Sequence, residues 1–86
     1  MKLRYHKFFQ KQFNKLPAKQ KMSVKKAAAL FETEPMHQSL YNHPLKGQWQ
    51  NHRSITAGGD LRIHYRLINP DTVLFVAVGT HSQLYK

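Results

Sequence analysis

Three short stretches of the chain carry side chains able to move protons or hold phosphate. Arg62, His64 and Arg66 recur at every second residue, so on a strand they leave one face together, and Asp60 at the mouth of that strand shares their parity. That is a phosphate-friendly stripe, although a solvated sheet face shows the same alternation. Gly79-Thr80-His81-Ser82 follows an apolar run and leads to Leu84-Tyr85, which puts His81 at a sheet margin. Imidazole, with a reference pKa of about 6.5, gives or takes a proton at neutral pH, and segments held by a rigid strand are where such groups act. A lone loop histidine is also simply soluble. The third stretch, His43-Pro44-Leu45-Lys46-Gly47-Gln48-Trp49, sets an imidazole and an ammonium near an amphipathic aromatic. Trp49 reads either as core or sheet-edge packing or as a base-stacking platform. His6, His37 and His52 have no ligand spacing and the chain has only four acids, so no metal site is expected.

The elements that must position these residues follow from periodicity. Lys2 to Tyr5 reads as a short edge strand, and Phe9, Phe13 and Leu16 recur at i, i+4, i+7 on one face of a helix. Pro17 suits the first turn of a second helix, whose apolar stripe is expected from Met22, Val24, Ala28, Ala29 and Phe31 and which Pro35 ends. After a connection over 36–48 the period changes to two, predicting strands near 49–56, 61–68 and 72–78. Ala57-Gly58-Gly59-Asp60 and Asn69-Pro70-Asp71 supply the turns between them. The last strand is apolar on both faces, which predicts the central place in the sheet. The order β-α-α-β-β-β predicts an α+β fold, with two helices packed on one face of a small, mostly antiparallel sheet and the other face partly open. One domain over 1–86 is expected.

Composition narrows the partner. The 86 residues are 41% hydrophobic and 12% aromatic, enough to pack a core and too many for a disordered tail. With no cysteine there is no disulfide framework, a cytoplasmic location is expected, and the six-residue run Val73 to Val78 is far short of a bilayer span, so no membrane partner is expected. Fourteen Lys and Arg face four Asp and Glu, a net charge of +10, and nine of those cations fall in the first 30 residues, where no acid occurs. Such a charge points to a polyanion, nucleic acid or ribosome, or to an acidic protein.

The histidine stretch 43–49, Arg53-Ser54-Ile55, the stretch Gly59-Asp60-Leu61-Arg62-Ile63-His64-Tyr65-Arg66, and Val78-Gly79-Thr80-His81-Ser82-Gln83-Leu84-Tyr85, in this order and spacing, together resemble the RelE superfamily of bacterial toxins, in particular its YafQ-like branch. The resemblance spans essentially the whole chain and implies the strand order derived above. It also implies a type II toxin-antitoxin toxin: a cofactor-free endoribonuclease that enters the A site of the small ribosomal subunit and cuts mRNA by metal-independent attack of the ribose 2′-hydroxyl. The implied partners are ribosome, mRNA and an antitoxin that is acidic or has an acidic segment, in a toxin-antitoxin hetero-oligomer. Carried over by position, His43 and His81 are the implied proton-transfer pair, Asp60 a positioning or acid-base group, and Tyr85 an aromatic that stacks on or orients an mRNA base. Lys46, Arg53, Arg62, His64 and Arg66 are the implied phosphate-binding groups. The chain departs from the branch at Thr56, where a histidine is usual, and at Leu61, where a tryptophan is. Either His64 and the arginines take over those duties, or the enzyme is slow, or its codon preference differs. Two other readings are a ParE-type gyrase-inhibiting toxin, which shares the fold, and a non-catalytic basic RNA-binding module.

Overall fold

The chain runs β1 (Lys2–Tyr5), α1 (Lys7–Asn14), α2 (Ala18–Thr33), β2 (His43–Pro44), β3 (Arg53–Thr56), β4 (Leu61–Asn69), β5 (Thr72–Thr80) and α3 (His81–Leu84) in the computed structural model, which describes residues 1–85. Single 3-10 turns occupy Gln38–Leu40 and Gly47–Trp49. Histidine opens two of these segments. The His6 ring nitrogen Nδ1 accepts the Phe8 N–H at 3.0 Å to cap α1, and His37 Nδ1 accepts the Ser39 N–H at 3.1 Å to cap the first 3-10 turn. These imidazoles satisfy backbone donors that a helix start leaves unpaired.

The sheet order is β1-β5-β4-β3-β2, with β1 parallel to β5 and the other pairs antiparallel. The expected α+β class and strand order are therefore present, with β2 as a two-residue addition at one edge. The central strand is β4, not β5 as expected; β5 is interior, between β1 and β4, because β1 adds to its outer edge. The strand expected to begin at Trp49 begins instead at Arg53, because Gly47 and Asn51 take positive φ (65° and 71°) and turn the chain there.

Helices and sheet enclose one apolar cluster. Phe9 from α1 and Val24, Ala27 and Phe31 from α2 pack on Ile55, Ile63, Tyr65, Val73, Phe75 and Val78. Phe31 is at its centre, with its ring edge-on to Tyr65 (4.8 Å) and Phe75 (5.6 Å). The buried face of α2 is thus set by residues at i, i+3 and i+7, and Met22, expected in the stripe, lies about 200° around the helix from Val24 and is exposed. Eight of the nine cations of the first 30 residues are exposed, whereas Lys21 is half-buried with its ammonium 5.9 Å from the Phe13 ring centre.

One irregularity decides what the open face presents. His64 pairs with Ala77 but Tyr65 pairs with Phe75, so Val76 is an extra residue on β5. This bulge reverses the parity of the strand. Phe75 before it and Val78 after it both face the core, leaving Ala77 and Gly79 on the opposite face beside His64 and Arg62.

Candidate active site

The side of the sheet away from α1 and α2 carries a row of paired positions running His43, Ser54, His64, Ala77 across β2, β3, β4 and β5. Neighbouring strands lie about 4.8 Å apart, so the row spans the sheet. One pleat further along, Arg62 lies between Thr56 and Gly79. The small residues Ala77 and Gly79 leave the space that larger ones fill on the core side. The result is a groove of about 440 Å³ lined by Tyr41, His43, Leu45, Ser54, Arg62, His64, His81 and Tyr85.

His43 is exposed, and its Nδ1 lies 2.7 Å from the Tyr41 carbonyl. A carbonyl only accepts, so Nδ1 holds the proton and the neutral ring keeps its lone pair on Nε2, the form that a general base needs. His81 opens α3 and is also exposed. Its ring stacks on Tyr85 at 4.5 Å and 29°. α3 is short, so its position depends on tethers at both ends. At the start, Thr80 Oγ1 accepts the Gln83 N–H (3.3 Å) while Gln83 Oε1 accepts the Thr80 N–H (2.8 Å), a closed capping box. A Cβ at Gly79 would come within 2.9 Å of that Gln83 oxygen, so glycine lets the box close. At the far end, the Leu84 carbonyl accepts from Gln48 Nε2 (3.2 Å) and Trp49 Nε1 (3.0 Å). Trp49 is therefore a half-buried clamp that ties the stretch after β2 to the C-terminal turn.

His64 differs from the other two. It is buried, with the Trp49 ring edge-on at 4.5 Å and Tyr85 at 5.6 Å, so a stripe whose alternation also fits a solvated face is in part sealed. Burial first, and then the positive character of His52, His43, Arg62 and His81 around it, lowers its pKa to about 4. At neutral pH it is an uncharged ring. Neither of its nitrogens nor Ser54 Oγ has a hydrogen-bond partner among the described residues. Two unpaired buried polar groups on the groove floor are a stability cost of the kind that functional sites carry.

This imidazole should make the fold acid-sensitive. Because the folded pKa lies below the reference value, the unfolded chain takes up the proton first, and stability present above about pH 6.5 is lost as pH falls towards 4. Urea denaturation at pH 4.5 should show wild type about 2 kcal/mol less stable than at pH 7 from this group, a loss that His64→Leu removes. Equal acid losses in the two proteins would contradict the assignment.

The remaining sequence-derived positions lie outside the groove. Asp60 is exposed in the β3–β4 hairpin, Lys46 is exposed before the second 3-10 turn, and Arg66 is exposed opposite Leu74, beyond the bulge. Arg53 pairs with Tyr65 on the core-facing side, and its Nε donates to Asn42 Oδ1 at 2.8 Å. The Tyr65 hydroxyl donates to the same oxygen at 3.0 Å, while Asn42 Nδ2 donates to the Pro35 carbonyl at 2.9 Å. Asn42 thus pins the segment carrying His43 to the sheet. Tyr41, Leu45 and Ser54 line the groove without having been singled out from sequence. Leu45 and Ser54 fall inside the sequence motifs but carry no charge or imidazole, Tyr41 falls outside them, and only the pairing of Ser54 with both His43 and His64 gives it a place. Among the described residues no group of three or more His, Asp or Glu side chains is arranged to hold a metal ion, and no helix is long and apolar enough to cross a membrane.

Comparison with known proteins bears on this arrangement. A family model described as the bacterial toxin of a type II toxin-antitoxin system, YafQ, matches residues 1–86. No curated sequence matches at a significant level. Among solved structures, YafQ from E. coli superposes with a TM-score of 0.79 at 22% identity, over 98% of this chain and 97% of that one. The E. coli DinJ-YafQ toxin-antitoxin complex gives 0.76 at 23%, over 98% and 96%. A metal-bound toxin from Helicobacter pylori gives 0.74 at 26%, over 99% of both chains.

Proposed function

We propose that this chain, which belongs to the YafQ family of bacterial type II toxin-antitoxin toxins, is an endoribonuclease that cuts mRNA in the ribosomal A site through attack of a ribose 2′-hydroxyl on the adjacent phosphate. The observation that carries the reading is the convergence of His43 and His81, far apart in sequence, with Arg62 on one groove.

In the proposed reaction His43 Nε2 takes the proton from the 2′-hydroxyl as that oxygen bonds to phosphorus. The protonated His81 ring gives its proton to the 5′-oxygen as the bond from phosphorus to that oxygen breaks. Arg62 offsets the charge that builds on the non-bridging oxygens, which a planar guanidinium matches well. Tyr85 holds the His81 ring by stacking and offers its outer face to a base. Each step is met by a group of the chain itself. The exposed lysines of α1 and α2 suit ribosomal RNA, whose phosphates reward a diffuse positive surface. E. coli YafQ forms a complex with DinJ, and an antitoxin of this chain that carries an acidic segment would be drawn to the same positive charge.

Primer extension on an mRNA under translation in a cell-free system tests the reading. New 5′ ends inside the reading frame should appear with the protein and only while ribosomes translate. Full-length extension products at every protein concentration would overturn it.

A further inference from the structure

The catalytic groove continues into a second hollow of about 500 Å³, bounded by Ser39, Tyr41, Thr56, Gly58, Gly59 and Arg62. The two share Tyr41 and Arg62. We propose that this hollow is the subsite for the nucleobase beside the scissile phosphate, with the Tyr41 ring as its stacking platform. The proposal rests on the nuclease reading and names a binding residue for it.

Tyr41 is 75% exposed, the highest value among the exposed large hydrophobic side chains, and nothing in the fold requires its ring. Its backbone is nevertheless constrained. It ends the first 3-10 turn in the left-handed region, at φ 51° and ψ 45°, a conformation that bulky residues adopt only at a cost to stability. Its N–H is bonded to the Gln38 carbonyl (3.2 Å) and its carbonyl receives His43 Nδ1 (2.7 Å). The same residue therefore orients the His43 imidazole from its backbone and holds an aromatic ring at the groove rim. Glycine or asparagine would meet the backbone requirement more cheaply. A tyrosine there has a use for its ring.

The rest of the hollow fits a stacked nucleotide. Thr56 Oγ1 is engaged within the hairpin, donating to the Leu61 carbonyl and accepting the Gly58 N–H, both at 3.4 Å, so it is not a reader of base edges. Gly59 has nothing within 4 Å of where a Cβ would stand, which leaves a side-chain-free margin for a sugar-phosphate strand. Arg62 lies between both hollows, where the linking phosphate falls. Stacking accepts any base face, so the subsite should contribute affinity with little sequence preference.

The test is a titration of isotopically labelled full-length protein with a short single-stranded RNA methylated at every 2′-oxygen, which cannot be cut, followed by amide NMR signals. Shifts should centre on Tyr41, Thr56, Gly58 and Gly59. Tyr41→Phe should bind as wild type, and Tyr41→Gly, which removes the ring and relieves the left-handed backbone without lowering Tm, should bind about 10-fold more weakly or worse. Unchanged affinity in Tyr41→Gly, absence of shifts at those amides, or absence of binding by wild type would each overturn the subsite. Parallel assays during translation separate the two ideas. RNA bound through Tyr41 by a protein that cuts no mRNA leaves the subsite and removes the nuclease, whereas cutting and binding both indifferent to Tyr41→Gly do the reverse.

Discussion

Replacing His81 with alanine lowers mRNA cleavage by about 10²- to 10⁴-fold, the range that one positioned general acid or base contributes. The effect belongs to kcat, because His81 is exposed and its ring stacks on Tyr85, so the fold loses little. His43→Ala falls in the same range. If the two rings act on the same phosphate, the double variant is scarcely worse than either single one, since removing one member of a working pair leaves little for the other to do. Gel quantification of cleaved and intact mRNA over time gives all three rates. A His81→Ala rate within a few-fold of wild type would mean that proton transfer to the leaving oxygen comes from elsewhere.

Phe31→Ala destabilises the fold by about 3–5 kcal/mol, the usual cost of emptying a buried phenylalanine site. Its ring is fully buried against Tyr65 and Phe75, and small domains hold only about 5–15 kcal/mol in total. A large share of the variant is then unfolded under mild urea. The damage also reaches the groove through a short path: Phe31 supports Tyr65, whose hydroxyl bonds Asn42, the residue before His43. Urea unfolding followed by far-UV circular dichroism measures the loss, and a shift under 1 kcal/mol would show that Phe31 is not the centre of the core.

The fold was largely legible because its periods are local. Phe9 and Phe13 mark α1, the alternation from Leu61 to Leu67 marks β4, and Gly58-Gly59 marks the hairpin between β3 and β4. What escaped depends on partners distant in the chain. The inserted Val76 reverses the faces of β5, a change that period-two reading of an apolar strand cannot detect. Met22 was expected in the apolar stripe because it is apolar, whereas burial follows the angle set by Val24, Ala27 and Phe31. Of the candidate site residues, His43, Arg62, His64, His81 and Tyr85 line one groove, whereas Asp60, Lys46, Arg53 and Arg66 lie outside it. Arg53 could not be placed from sequence, since its side is decided by pairing with Tyr65 and its Nε by Asn42. The sealing of His64 was equally hidden, because the Trp49 and Tyr85 rings that cover it come from segments 15 residues earlier and 21 residues later.

The departures at Thr56 and Leu61 have a structural counterpart. Leu61 is buried in the core cluster and Thr56 is engaged within its hairpin, so neither position offers a proton-transfer group, and in the proposed reaction the burden falls on His43 and His81, with Arg62 lining the same groove. That division of labour is the centre of the account, and the chemistry of the cut ends tests it most directly. Attack by the 2′-oxygen leaves a 2′,3′-cyclic phosphate, or its opened 3′-phosphate, on the upstream fragment and a 5′-hydroxyl on the downstream one. Mass spectrometry of fragments from a defined mRNA, cut by purified protein on translating ribosomes, should find those ends and no others. A 5′-phosphate paired with a free 3′-hydroxyl would mean that water, not the ribose, attacks phosphorus, and the imidazole pair would lose its assigned role.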